Sequence, residues 1–107
     1  MNTRIDYLYV DAGNYRVYNT CIVSGEASSL QQALIREACL PEQNRFIPSC
    51  VGLPEKRFPR RSSGGTPFFE LMCFSLTERK ADVPMDVSEL LRRFQTMRHH
   101  WLERMAP

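Results

Sequence analysis

Lys56, Arg57, Arg60 and Arg61 fall within six residues, and Phe58 sits among them. Closely spaced cations can track a phosphate backbone, and an aromatic ring beside them can stack on a base. The same five residues also suit an acidic protein surface. The plainer reading is that a long loop stays solvated by being charged. A basic run without a recognised nucleic-acid motif leaves that reading the stronger one.

Other chemistry is thinner. His99 and His100 are adjacent, and neighbours on a helix point about 100° apart, so they cannot grip one metal as an i, i+4 pair does. The cysteines Cys21, Cys39, Cys50 and Cys73 form no Cys-x-x-Cys pair. Zinc sites usually take two ligands from one short loop, so the thiols read as core or inert residues. Asp6, Asp11, Glu26, Glu37, Glu42 and Glu70 are scattered, with no spacing diagnostic of acid–base work. Ser62-Ser63-Gly64-Gly65 lacks the Lys-Ser/Thr of a phosphate-binding loop. The sequence therefore assigns no catalytic residue, no cofactor site and no metal site, and an enzyme is the weakest of three functional classes.

A second surface is apolar. Val87, Leu90, Leu91, Phe94, Met97, Trp101 and Met105 recur at helical spacing. Read as one helix of about 20 residues, this stripe runs roughly 30 Å, as long as a small domain is wide. A small sheet need not cover all of it, in which case the end would protrude. Phe94, Met97, Trp101 and Met105 then become candidates for a protein interface or a homodimer contact. The competing reading is that the stripe packs wholly on the chain's own sheet.

These groups must be held by a framework. Residues 5–10 alternate, with Ile5, Tyr7 and Tyr9 opposed to Asp6, Leu8 and Val10, and residues 15–23 alternate likewise. Tyr, Val, Ile and Thr suit a pleated surface. Asp11-Ala12-Gly13-Asn14 between them is a turn of hairpin length. Tyr7, Tyr9, Tyr15 and Tyr18 read as strand packing before they read as a binding platform. Ser29 and Gln32 fit a capping box for a helix that Pro41 ends. Pro48, Pro54, Pro59 and Pro67 exclude a long helix or a central strand between them. Phe46, Ile47, Val51 and Leu53 should anchor the first half of that stretch on the core, with a short edge strand around Val51. The remainder, about 55–67, reads as a flexible basic loop. Residues 67–77 form the most apolar run and read as a strand central in the sheet. Asp86 and Glu89 fit a second capping box ahead of the last helix.

The expected fold is α+β: a three- to four-stranded antiparallel sheet in the order β-β-α-loop-β-α, with two helices packed on one face. One domain over 1–107 fits the length. Hydrophobic residues make up 43% and charged residues 24%, ordinary for a globular protein. No apolar run has the roughly 18 residues of a membrane span, and the charged start does not resemble a signal peptide, so a cytoplasmic protein is expected. The net charge of +2 is too small to imply nucleic acid by itself. Its distribution matters more, since residues 45–65 hold 5 basic side chains against 1 acidic.

Tyr9 to Tyr15, Phe46 to Pro54 and Phe68 to Glu70 resemble a small bacterial family of uncharacterised proteins. That family carries a Tyr-x-x-Asp-Ala-x-Asn-Tyr opening, matched here with Tyr9 displaced by one. It also has a Phe-Ile-Pro…Val-Gly-Leu-Pro segment and an aromatic-x-Glu strand. Phe69 stands where the family pattern has a histidine, which argues against a histidine-dependent activity. The resemblance supplies no function. It implies that the proline-bounded segment is a family feature.

The leading expectation is a non-enzymatic accessory or adaptor protein that binds protein, with self-association as one form. The runner-up is a small nucleic-acid-binding protein using Lys56, Arg57, Arg60 and Arg61. A salt series separates them. If nucleic acid is the ligand, binding to DNA or RNA falls steeply with salt and is lost when those four residues become alanine. Absence of binding at low salt rejects the runner-up.

Overall fold

In the computed structural model, residues 1–10, 16–56 and 67–105 are described. Strands β1 (Asn2–Val10), β2 (Arg16–Val23), β3 (Arg45–Phe46) and β4 (Phe69–Thr77) form one antiparallel sheet in the order β2-β1-β4-β3. Helices α1 (Ser29–Ala38) and α2 (Val87–Met97) pack on one face of it. The α+β fold expected from the sequence is the fold observed. The expected turn at Asp11–Asn14 and residues 57–66, within the expected basic loop, lie outside the described residues.

Alternation in β1 sets the inner face. Thr3, Ile5, Tyr7 and Tyr9 are all buried, and their partners on β2 include Val23 and Cys21, also buried. Thr3 is polar but satisfied: its hydroxyl donates to the Gly25 carbonyl at 2.8 Å and accepts from the Ala27 amide at 2.9 Å. That pair of bonds fixes the chain just before α1. The helix is capped one residue earlier than the sequence suggests. Ser28 accepts from the Gln31 amide, and the Gln31 side chain accepts from the Ser28 amide. Gln32 instead donates to the Ala27 carbonyl at 3.0 Å. Both serine–glutamine pairs fit the spacing, and the extended backbone at Ser28 (φ −69°, ψ 163°) decides between them.

Three further expectations change. Val51 is not in a strand: Pro48–Val51 is a 3₁₀ turn, and the edge strand is Arg45–Phe46. A proline supplies no ladder N–H, so the strand stops ahead of Pro48. Asp86 caps α2 through the Glu89 amide at 2.8 Å, but the Glu89 carboxylate turns to Arg92 and Arg93, so the box stays open on that side. The last helix ends at Met97. His99 takes φ 69°, a left-handed residue that closes the helix, and Trp101–Met105 continues as a separate 3₁₀ segment. A left-handed L-residue costs roughly 1–2 kcal/mol. The return is Trp101: it is fully buried, and its indole N–H donates to the Ala38 carbonyl at 2.7 Å.

The segment from Phe46 to Lys56 crosses the inner face and is pinned at both ends. Phe46, Ile47, Pro48, Val51 and Leu53 are buried. The Tyr7 hydroxyl donates to the Pro54 carbonyl. The Asn19 amide accepts from the Lys56 N–H at 2.7 Å and donates to the Lys56 carbonyl at 3.2 Å. Gly52 has φ 80°, and a β-carbon there would strike the Arg93 guanidinium and the Met85 side chain.

Two substitutions test this account by chemical denaturation. Trp101→Ala should cost about 3–5 kcal/mol, a core-cavity effect, although a protruding helix end would lose almost nothing. Gly52→Ala should cost about 1–3 kcal/mol from the left-handed backbone and the clash.

Candidate functional site

Two sequence-predicted surfaces fare differently. Phe94, Met97 and Trp101 are buried by the chain itself, so the expected interface on the last helix is consumed by the core. The helix breaks at His99, and Trp101 is fully buried in the separate 3₁₀ segment that follows. The Met105 side chain lies outside the described residues. Of the basic group, Lys56 is exposed, and its backbone is held by Asn19. Arg57, Phe58, Arg60 and Arg61 lie outside the described residues. His100 sits 3.0 Å from the Glu103 carboxylate on the surface. Among the described residues no cluster of three or more metal-ligating side chains occurs.

The surface that remains is the outer edge of β4. β3 pairs only with Glu70 and Phe69, and the Leu71 amide donates to Asn44 just beyond it at 3.0 Å. From Met72 to Thr77 no further strand pairs with β4 on this side among the described residues. The expectation of a central strand therefore holds only for its first residues. A bulge marks the change: Asp6 lies opposite Cys73 and Tyr7 opposite Leu71, with Met72 inserted. Arg36 reaches across from α1. Its guanidinium donates to the Met72 carbonyl at 2.8 Å and stacks 5.5 Å from the centre of the Phe74 ring.

The edge is unusual in composition. Leu71 to Thr77 contains no charged residue, whereas exposed edges usually carry a lysine or another charge that discourages pairing. Met72 is 45% exposed and Leu76 53% exposed. Phe74 is half-buried under Arg36. A cleft between the start of α1 and the end of β4 is lined by Thr3, Ala27, Gln32, Phe74 and Leu76. The opposite sheet edge is partly sealed, because residues 82–87 bond along β2 at Ile22 and Ser24. No sequence motif pointed to Arg36 or to this edge. The uncharged run was visible in the sequence, but the shortness of β3 was not.

On the far face of the sheet, Arg4, Asp6, Thr20 and Cys73 form a polar cluster. Arg4 donates to the Asp6 carboxylate at 3.1 Å and to the Thr20 hydroxyl at 3.2 Å. The Cys73 thiol donates to the other Asp6 oxygen at 3.3 Å. Partial burial alone would raise the Asp6 carboxyl. Hydrogen bonds from Thr20, Cys73 and Arg4 outweigh it and hold the group below its ordinary value. The Cys73 thiol moves the other way, raised by desolvation and by its bond to Asp6. A thiol kept protonated is a poor nucleophile. This cluster ties three strands together. Burial also pushes the Cys21 and Cys39 thiols up to about 12.

Comparison with protein-family models, with curated proteins and with solved structures finds no significant match to the chain.

The thiol arrangement predicts reactivity. Under native conditions near neutral pH, a maleimide should modify exposed Cys73 before buried Cys21 or Cys39. Asp6→Asn removes the accepting carboxylate, lowers the thiol's pKa and should speed labelling of Cys73. Mass spectrometry of the labelled peptides checks both, and earlier modification of Cys21 or Cys39 contradicts the burial described.

Proposed function

We propose that the protein is a non-enzymatic binding module that recruits a protein partner by adding a strand to the open edge of β4. Such an edge offers a row of backbone donors and acceptors for affinity, and alternate side chains for selectivity. The observation that supports this most is the uncharged stretch from Leu71 to Thr77, which β3 covers only at its start. Phe74, Leu76 and the adjacent cleft give a partner apolar contacts on the helix-bearing side.

An accessory or adaptor role fits this surface. All four cysteines are free thiols, which suits a reducing compartment such as the cytoplasm. No helix among the described residues is long and apolar enough to cross a membrane. The nucleic-acid alternative keeps Lys56, Arg57, Arg60 and Arg61 and rests on their spacing alone.

Photo-crosslinking in cells tests the proposal. A benzophenone side chain at Ser75 should give a protein adduct of defined mass that resists nuclease, while the same group at exposed Leu102 should not. Leu76→Lys places a charge on the edge and should reduce the Ser75 adduct by about tenfold, the equivalent of ~1.4 kcal/mol. A nuclease-sensitive adduct at Lys56, with none at Ser75, would overturn strand addition in favour of nucleic acid.

A further inference from the structure

We infer that the strand added to β4 comes from a second copy of the chain, paired antiparallel about a two-fold axis through Ser75. The inference rests on the strand-addition reading and names its partner. A two-fold normal to the sheet keeps both helix-bearing faces on one side, so each residue meets one from the same face. With Ser75 opposite its own copy, Phe74 lies opposite Leu76 of the second copy, and Cys73 lies opposite Thr77. Each pair occurs twice. Half-buried Phe74 thus meets exposed Leu76, and no charge lies anywhere along the paired stretch from Cys73 to Thr77.

Charge complementarity selects this register. One step beyond the paired stretch, Met72 lies opposite Glu78 of the second copy. The Arg36 guanidinium is already held at the Met72 carbonyl, 2.8 Å away. Arg36 has no carboxylate partner and Glu78 has no cationic partner among the described residues. Dimerisation brings these two groups together at both ends of the joint. Moving the axis to Phe74 would set Glu78 opposite Glu70, where β3 already occupies the edge. Moving it to Leu76 would set Glu78 opposite the Phe74 ring. Ser75 is the centre that avoids both conflicts. β4 ends at Thr77, so the incoming chain turns away before it reaches β3.

Sedimentation equilibrium of the full chain should show a dimer. Glu78→Arg and Arg36→Glu should each raise the dissociation constant about tenfold, and the double swap should return it to within about threefold of the starting value. Arg36 also contacts Phe74 and Met72 within its own chain, so Glu78→Arg, at an exposed site, serves if Arg36→Glu fails to fold. In a Cys73→Ser background, Ser75→Cys should oxidise to a covalent dimer, because residues opposite one another on antiparallel strands bring their β-carbons within disulfide reach. A wild-type chain that stays monomeric at its highest soluble concentration overturns the inference. So does a dimer indifferent to Glu78→Arg and unlinked by Ser75→Cys. A monomer whose Ser75 position still crosslinks to a different protein rejects the second copy and leaves strand addition standing. A monomer with no adduct at Ser75 rejects both.

Discussion

The Phe46 ring holds the two layers of this protein together. It is fully buried, and its centre lies 5.7 Å from Tyr7 on β1, 5.3 Å from Phe94 on α2 and 6.4 Å from Trp101 after α2. Phe94 and Trp101 meet in turn at 5.9 Å in an edge-to-face contact. Such pairs add about 0.5–1.5 kcal/mol each beyond the area they bury. Both sheet and helices therefore depend on one residue of a two-residue strand. The chain reaches Phe46 only because it turns sharply after α1, through positive φ at Gln43 and Asn44. It leaves through Pro48 into a 3₁₀ turn. The tether continues at Tyr7–Pro54 and Asn19–Lys56, where inner-face polar groups find backbone partners. A buried hydroxyl or amide left unpaired would be costly, so these bonds fix the path of the segment as firmly as its apolar residues do.

That path limits β3. A strand that must deliver Phe46 to the centre of the core and then yield to Pro48 cannot also run along the whole of β4. Among the described residues, the unpaired edge is thus a consequence of core packing. The bulge at Met72 and the Arg36 side chain lie where β3 gives out. Arg36 satisfies one carbonyl of the edge and covers one face of Phe74, but among the described residues its charge meets no carboxylate. An aromatic face attracts the cation, yet at an exposed site that is worth only about 0.5–1 kcal/mol.

How much of this the sequence carried depends on the range of the interaction. Period-two alternation in β1 and β2 was legible because one face of each strand supplies the core, although Leu8 and Ile22 on the other face are buried too. The Asp86 cap was legible because capping is local. The shift of the α1 cap from Ser29 to Ser28 was not, since two adjacent serines each have a glutamine three residues on. The break at His99 was hidden for a deeper reason. Met97 and Trp101 are four apart and fit a continuous apolar stripe, so periodicity alone gives a longer helix. Only the position of Ala38, more than sixty residues earlier in the chain, shows why a left-handed turn buries the indole better. The same range effect concealed the site. Phe94, Met97 and Trp101 looked available because an unbroken helix of about 20 residues outruns a small sheet, and the contacts of Phe46 with Phe94 and Trp101 cannot be read from spacing.

On the proposed reading, the β4 edge is a binding surface with no motif at all. Its backbone groups are generic, its side chains are small or apolar, and the cation at its start, Arg36, comes from a different element. What makes it specific is placement. The edge is bounded on one side by β3 at Glu70 and on the other by the end of the strand at Thr77. A strand entering between these limits has few registers open to it, because a one-residue slip exchanges the faces of every side chain. Arg36 then discriminates among the remainder, since an acidic group opposite Met72 meets a guanidinium and a basic one is repelled. In the proposed strand addition, backbone pairing supplies affinity that any extended chain can share, and the position of one arginine decides which chain benefits.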